Sequence, residues 1–293
     1  MRLPVLSVTS HPGWMGLLAG LFGVLALRLP LFAIPAAALV ALPVLRAGLL
    51  PGGIAWLVGT AVVAGGWYGL GLPPGQIVPL VFLLWPVVVP MAEMLRRSGE
   101  LQLPLLMAGA AMLAGVLAMH GITGDVVAFW QAWLRRALEG MPGGAAGTLD
   151  VGGGLRLING FLTLLFGLGL LLSLLLARWL QARMGGRERL SGEFRRLALP
   201  RWVLPLAVAL VWAGGLWDAM LLADILMVGI LVYAFVGLAV IHGVIEVRGR
   251  SQGWALPAYI LLAFFPPQAL AVLALVGAVD TFAHFRVQQP RRG

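Results

Sequence analysis

Long apolar runs separated by short polar stretches make up most of the chain. A helix needs about 20 apolar residues to cross the hydrocarbon core of a bilayer, and fewer where neighbouring helices help. The pattern therefore predicts an all-α protein, a polytopic transmembrane helical bundle with about eight spans. The predicted spans are 14–27, 31–45, 54–70, 77–95, 103–120, 158–179, 203–220 and 225–245.

A ninth apolar stretch, residues 255–283, is interrupted by Pro266 and Pro267. Two consecutive prolines remove two backbone donors and disfavour helical geometry at Phe265. This stretch is therefore predicted to be a Pro-Pro-broken C-terminal helix or hairpin.

Arginine-rich segments predict the orientation of the chain, because cytoplasmic loops carry an excess of positive charge. Alternation from a cytoplasmic N-terminus places the arginines of 96–97, 178–201 and 248–250 in the cytoplasm. The arginines of 286–292 join them only if the Pro-Pro stretch turns back to its starting side. We expect that arrangement, with both termini cytoplasmic; the alternative is one long crossing that leaves the C-terminus outside.

Two segments do not read as spans. Residues 124–141 have apolar positions at helical spacing, which predicts an amphipathic helix at the periplasmic interface with Trp130 and Trp133 at headgroup depth. The glycine-rich residues 141–154 that follow are predicted to be a flexible loop joining an N-terminal half, 1–123, to a C-terminal half, 155–293, of a single integral membrane domain.

The second non-spanning segment is a cytoplasmic loop, residues 183–202, that is dense in arginine. Arg195, Arg196 and Trp202 in this loop are candidates for contact with anionic lipid or with a partner protein.

Composition agrees with the membrane assignment. Hydrophobic residues make up 61% of the chain and charged residues 11%, against roughly a quarter charged in a typical globular protein. A soluble protein would lack the polar groups to cover its exterior, so a soluble enzyme, a nucleic-acid reader and a disordered chain are excluded. The net charge is +9, all basic residues are arginine, and the absence of cysteine excludes disulfides and thiolate metal sites.

Small and charged residues inside the predicted spans have mainly structural interpretations. Gly16 and Gly20 lie on one helix face and favour close helix packing. Glu93 precedes two arginines and predicts a local ion pair or a snorkelling side chain. His120 is expected at the interface, while Asp224 fits a helix N-cap and Asp218 an exposed turn on the outer side.

The C-terminal quarter holds the strongest candidates for a functional site. His242 and Glu246 are four residues apart, as are Asp280 and His284, with Arg286 just beyond. Residues at this spacing share a helix face, so the two sets could converge on a proton or ligand site, a metal, or a structural ion-pair network. Gln268 follows the Pro-Pro break, where a broken helix exposes backbone groups that bind polar ligands.

Motifs for ATP binding, serine hydrolysis and haem binding are absent from the sequence. We therefore expect a protein that is not an enzyme and has no cofactor and no resident metal. An intramembrane metal-dependent enzyme built on the four C-terminal His, Glu and Asp candidates is the weakest of the hypotheses.

Three segments carry a family resemblance: residues 192–202 (GEFRRLALPRW), His242-Gly243, and residues 277–286 (GAVDTFAHFR). They resemble the YybS-like family of bacterial membrane proteins, whose activity is not established. That family is distantly similar to the substrate-binding membrane subunits of energy-coupling-factor transporters. The resemblance implies a cell inner-membrane protein that binds one small molecule near the outer surface, and implies that Ala36, Ala37 and Ala38 could dock a coupling protein.

Two functions follow from these observations. The leading one is binding or transport of a small molecule, with partner subunits or an ion gradient supplying the energy. The alternative is a non-enzymatic scaffold or assembly subunit of an inner-membrane complex. In both cases membrane lipids are partners and nucleic acid is not.

Overall fold

The computed structural model describes residues 11–72, 80–139, 152–185, 190–283 and 285. Within these residues the regular secondary structure is helical, as the apolar runs predicted. The α-helices are α1 (Pro12–Ala26), α2 (Ala33–Ala47), α3 (Leu49–Gly69), α4 (Leu80–Ser98), α5 (Gln102–Thr123), α6 (Val126–Glu139), α7 (Gly152–Gly185), α8 (Leu190–Arg195), α9 (Val203–Trp217), α10 (Ala219–Val247), α11 (Leu256–Phe264) and α12 (Pro266–Ala283). Single 3₁₀ turns cover Pro30–Phe32 and Gln252–Ala255.

Among the described residues, six helical segments are long and apolar enough to cross a membrane. They are Pro30–Ala47, Leu49–Gly69, Gln102–Thr123, Gly154–Met184, Ala219–Val247 and Pro266–Ala283. Helices α1 and α9 are apolar but have only 15 residues each. Several helices of this length and hydropathy fit a multi-pass integral membrane protein, while the figure of eight spans stays a prediction.

The chain divides into two compact units. Unit 1 comprises Met1–Ala108 and Leu168–Leu197, and unit 2 comprises Gly109–Gly167 and Ala198–Gly293. Two of the three boundaries fall inside α5 and α7, so each of these helices contributes to both units, and the third follows α8.

Helix α2 forms the centre of unit 1, where it packs against α1, α3 and α4. Its side chains are buried almost without interruption from Ala36 to Leu45. Ala36, Ala37 and Ala38 are each 0% exposed, so their side chains serve helix packing in unit 1, and the implied docking role of this alanine patch stays a prediction. An alanine run serves here to bring helices close, because a small side chain lets neighbouring backbones approach.

Glycines of α1 provide the contact with α3, as predicted from Gly16 and Gly20. A methyl group built on Gly16 would lie 2.7 Å from the Ala55 carbonyl oxygen, and one on Gly20 would overlap the side chain of Val62. Both glycines are buried. The small-residue spacing therefore marks a helix–helix packing surface.

Two ion-pair networks stabilise helix ends in unit 1. Glu93 accepts hydrogen bonds from Arg96 and Arg97 one turn later, at 2.6–2.8 Å, which confirms the predicted local ion pair. Arg178 of α7 forms a two-pronged ion pair with Glu193 of α8, with 2.9 Å from Nε to Oε2. Arg178 also donates to Gln181, which in turn donates to the Leu45 carbonyl. The arginine-rich loop is thereby attached to the end of α2.

Helix α10 forms the centre of unit 2 and packs against α12 and α9. It crosses α12 where Gly237 meets Gly277: a methyl group on Gly277 would lie 2.8 Å from the Gly237 nitrogen. Two glycines are needed at this crossing because the backbones themselves are in contact.

The final apolar stretch is broken at Phe265, as predicted, where the backbone leaves the helical region with φ −134° and ψ 58°. Beyond the Gly237–Gly277 crossing, the end of α10 and Phe285, which follows α12, line one cleft. The two helices therefore end on the same side of unit 2. Between them, α11 lies back along α10, with Tyr259 against His242. This geometry favours the turned-back arrangement over a single long crossing.

The predicted amphipathic helix is present as α6, and Asp125 caps it by accepting a 2.9 Å bond from the Ala128 nitrogen. The glycine-rich loop was predicted to extend to residue 154, whereas α7 begins at Gly152. Its last three residues are therefore helical, and residues 141–151 lie outside the described part of the chain.

Candidate functional site

Asp224 is an acidic side chain buried inside a candidate membrane span. It is the sixth residue of α10 and is only 2% exposed. A carboxylate away from water needs hydrogen-bond donors, because its desolvation is otherwise costly. The neighbours of Asp224 therefore decide what this residue can do.

Two other helices supply those donors. His120, near the end of α5, places Nε2 2.8 Å from Asp224 Oδ2. Asn159, near the start of α7, donates through Nδ2 to the same oxygen at 2.5 Å. Asn159 is buried and the His120 side chain is 13% exposed. We refer to His120, Asn159 and Asp224 as the polar cluster.

Local sequence explains how three helices fit around one carboxylate. Gly160 follows Asn159, and a methyl group at that position would lie 2.8 Å from Asp224 Oδ1. Glycine therefore leaves the space that the carboxylate occupies. All members of the polar cluster belong to unit 2.

The sequence-based roles of the two aspartates near the start of α10 are corrected by this geometry. Asp218, expected in an exposed turn, is the N-cap and accepts a 3.2 Å bond from the Met220 nitrogen. Asp224, expected to be the N-cap, lies more than one turn further into the helix and bonds side chains of other helices. Helix α10 begins at Ala219, earlier than the apolar run from residue 225 suggested, because Met220–Leu222 are already helical.

Asp218 adds a second negative charge beside the polar cluster. Its Oδ2 lies 3.9 Å from Nδ1 of His120, and its side chain is 47% exposed. His120 thus stands between a buried and an exposed carboxylate. On α7, Arg156 lies one turn before Asn159 and is exposed.

The arrangement suits proton or cation handling. A histidine and a carboxylate in hydrogen-bond contact can share and pass on a proton, and such groups at membrane depth mark ion or substrate pathways. The part of the chain that the structure describes contains no group of three His, Asp or Glu side chains with the geometry of a metal site.

The C-terminal candidates have different neighbours. Nδ1 of His242 bonds the Leu238 carbonyl at 2.9 Å, and Nε2 lies 3.3 Å from the Tyr259 hydroxyl. Asp280 is buried and accepts a 3.0 Å bond from the Phe285 nitrogen, which caps the end of α12. Glu246 is exposed on the last turn of α10. His284 and Arg286 lie outside the described residues, so convergence of the full set stays a prediction.

The remaining candidates lie at the surface or close to it. Gln268 is exposed at the start of α12. Trp202 is 58% exposed and Trp133 37% exposed, as contact with lipid requires. Trp130 packs edge-on against Trp133, with ring centroids 5.8 Å apart. Arg196 is exposed, and Arg195 is partly buried.

Sequence reasoning missed the polar cluster because it judged each polar residue by its own helix. A signal was nevertheless present. His120 is three residues from the end of its helix, while Asn159 and Asp224 are the eighth and sixth residues of theirs. At 1.5 Å per residue, all three lie about 5–10 Å inside a helix end. In an alternating topology these three ends share one membrane face.

Comparison of the chain with protein-family models, with curated proteins and with solved structures finds no match. The resemblance to the YybS-like family therefore stays a prediction.

Proposed function

We propose that the protein is a multi-pass membrane carrier that binds and transports a small molecule, with a proton gradient as its energy source. The observation that carries the proposal is Asp224, a buried carboxylate in a candidate span that accepts hydrogen bonds from two other helices. Burying a carboxylate in this way is costly, and an apolar side chain would provide the same packing without that cost. A role in function explains its presence.

His120 and Asp224 form the proton site in this proposal. With a neutral imidazole and an ionised carboxylate, the pair carries one negative charge. One added proton gives either imidazolium with carboxylate or imidazole with carboxylic acid, and both forms are neutral overall. The hydrogen bond from Nε2 to Oδ2, which are 2.8 Å apart, joins the pair, and the added proton goes either to Nδ1 of the imidazole or to the carboxylate.

Loading and unloading of this proton would shift the balance between helix arrangements. A net charge in an apolar environment disfavours the closed packing, whereas the neutral pair tolerates it. A ligand or proton that binds two arrangements unequally shifts the population toward the better one. Asn159, which bonds the same carboxylate oxygen, links α7 to this change.

The position of the site supports access from the outer side. Asp224 lies near the start of α10, and Arg248 directly follows the end of that helix. With Arg248 in the cytoplasm, as the positive-inside rule predicts, the polar cluster faces the periplasm. Protons entering from outside would meet His120 and the exposed Asp218 first.

A scaffold role is the second candidate, and α6 is the observation that favours it. Phe129 and Trp133 are exposed on this helix, which also carries Arg135 and Arg136 at the surface. An aromatic and basic helix of this kind binds either the membrane interface or a partner protein. Under this reading the polar cluster would be structural, and the protein would purify with a stable partner subunit.

Proton flux in proteoliposomes tests the carrier proposal. Vesicles containing the protein and an internal pH dye are held at a clamped membrane potential with an acidic exterior. Amino acids, carboxylates and vitamins are then added one at a time. At least one compound is expected to accelerate proton entry in the wild type, and Asp224→Asn should reduce that flux to the level of empty vesicles. Asp125→Asn, which alters an exposed aspartate at the α6 cap, is the matched control and should retain the flux.

A direct protonation measurement separates the site from the choice of compound. Infrared difference spectra between acidic and alkaline pH should contain either a carboxylic-acid band that is lost in Asp224→Asn or an imidazolium band that is lost in His120→Gln, and Asp125→Asn should retain either band. Spectra unchanged in both Asp224→Asn and His120→Gln would refute the proton site. If no compound accelerates proton entry and the protein purifies with a stable partner subunit, the scaffold role would be favoured.

A further inference from the structure

A cleft in unit 2 lies towards the opposite end of α10 from the polar cluster. It has a volume of about 430 Å³ and lies beside the C-terminal end of α10, within the range of roughly 300–1,000 Å³ found for small-molecule sites. Its lining is Val240, Ile241, Val244, Ile245, Val247, Arg248, Arg250, Trp254, Val276 and Phe285. Eight of these ten side chains are apolar or aromatic and two are arginines, so the cleft combines an apolar wall with positive charge.

The end of α10 determines where the two arginines lie. Gly249 has φ +64°, a left-handed conformation that glycine adopts readily. Its nitrogen bonds the Glu246 carbonyl at 2.8 Å, and the Arg250 nitrogen bonds the Ile245 carbonyl at 3.0 Å. This pair of bonds is a Schellman motif, which turns the chain back over the last helical turn. Backbone geometry therefore fixes Arg248 and Arg250 at the end of the helix, where both line the cleft.

The guanidinium groups are available to a ligand. Both arginines are exposed, and Arg250 lies over the ring of Trp254, 4.5 Å from its centroid. The guanidinium of Arg248 makes no hydrogen bond or ion pair with another of the described residues. Stacking leaves the planar N–H fork of Arg250 free to bind an anion, and arginine forks match phosphate geometry.

The opposite wall of the cleft is also fixed in place. The Phe285 nitrogen donates to Oδ1 of Asp280, which is buried in α12. This bond keeps Phe285 beside the cleft, although it lies beyond the end of the helix. The candidate residue Asp280 thus has a structural role in shaping this surface.

We propose that the cleft binds one anionic phospholipid, with an acyl chain along the apolar wall of α10 and the phosphate at Arg248 and Arg250. Charge complementarity decides the occupant, since basic pockets beside membrane helices bind anionic headgroups. Trp254 is 59% exposed, as expected for a side chain at headgroup depth. This inference goes beyond the proposed transport function and does not depend on it.

Native mass spectrometry of the purified protein with added lipid tests the proposal. The probes are dioleoyl phosphatidylglycerol and dioleoyl phosphatidylcholine, which share their acyl chains and differ in headgroup charge. The wild type is expected to bind phosphatidylglycerol more tightly than phosphatidylcholine. Arg248→Gln with Arg250→Gln should weaken that binding roughly 30-fold, since each arginine near a headgroup contributes about fivefold. Arg28→Gln with Arg46→Gln, which removes two exposed arginines elsewhere, should change it less than twofold.

A further variant and a soluble competitor distinguish the contribution of the apolar wall from that of the arginines. Val244→Trp, which places a bulky side chain on the apolar wall of the cleft, should weaken the binding of phosphatidylglycerol although both arginines are still present. Glycerol phosphate, which has the anion without the acyl chains, should fail to displace it. Equal binding of the two lipids, or full displacement by glycerol phosphate, would overturn the proposal. So would a loss of binding in Arg195→Gln with Arg196→Gln as large as that in the cleft variant, because the lipid would then lie on the arginine-rich loop.

Discussion

Replacement of Gly237 by alanine should destabilise unit 2, although alanine is the better helix former. An added methyl group would lie 2.7 Å from the carbonyl carbon of Leu273 and 3.1 Å from its Cα. Carbon atoms normally lie about 3.5–4.0 Å apart, so α10 and α12 must separate by roughly 1 Å along the crossing. Overpacking of this kind costs about 1–3 kcal/mol, which exceeds the gain of about 1 kcal/mol in helix propensity.

Gly229 provides the matched control because it lies in the same helix and has open space where a methyl group would go. Gly229→Ala should gain up to about 1 kcal/mol from helix propensity. Because the propensity gain is the same in both variants, they are expected to differ by the overpacking cost, about 1–3 kcal/mol. At about 2–4 °C per kcal/mol for a chain of this size, the midpoints should differ by roughly 2–12 °C.

Thermal unfolding in detergent, followed by tryptophan fluorescence and by size-exclusion chromatography, measures this difference. If Gly237→Ala melts at or above the temperature of Gly229→Ala, the close contact between the two backbones does not exist. Gly237→Ala should also weaken phosphatidylglycerol binding, because the cleft begins one turn beyond the crossing. Gly229→Ala should leave lipid binding unchanged.

Three further outcomes follow from contacts described above. Arg178→Gln should release Glu193, cost about 1.5–3 kcal/mol as a charged hydrogen bond, and raise hydrogen exchange in α8; unchanged exchange there would contradict the ion pair. Asp218→Ala should cost about 1 kcal/mol in thermal stability as the loss of an N-cap, and an unchanged melting midpoint would argue against that cap. Ala37→Leu, at a fully buried site, should cost about 1–3 kcal/mol, whereas Ala64→Leu, at an exposed site of α3, should be nearly neutral.

Hydrophobic pattern predicted the positions of the helices well and their ends poorly. The apolar run at 158–179 indicated the core of α7, yet this helix extends from Gly152 to Gly185 and includes Arg156 and Arg183. An apolar run reports the part of a helix that suits hydrocarbon, and a helix continues past it wherever backbone hydrogen bonds can still form. Sequence therefore predicts which residues cross the hydrocarbon core better than it predicts where the helix begins and ends.

Hydropathy also could not separate side chains that face lipid from those that face protein. Ala37 and Ala64 look alike in sequence, but Ala37 is fully enclosed in unit 1 while Ala64 is exposed on α3. Lipid tails are as apolar as leucine, so burial against protein leaves no mark in composition. Only the glycine spacing of α1 indicated a packing face, and it did so because backbone contact requires the smallest residue.

Asp224 shows where the local rules for charged residues fail. An aspartate near a helix start is most simply explained as an N-cap, and Asp218 does serve as the cap six residues earlier. Once Asp218 caps the helix, Asp224 has no local backbone donor to satisfy and must find partners on other helices. His120 and Asn159 are the polar side chains at the same depth, and the glycine beside Asn159 makes room for the carboxylate. The assignment of one cap thus turns the second aspartate from a helix-end residue into the centre of a buried site.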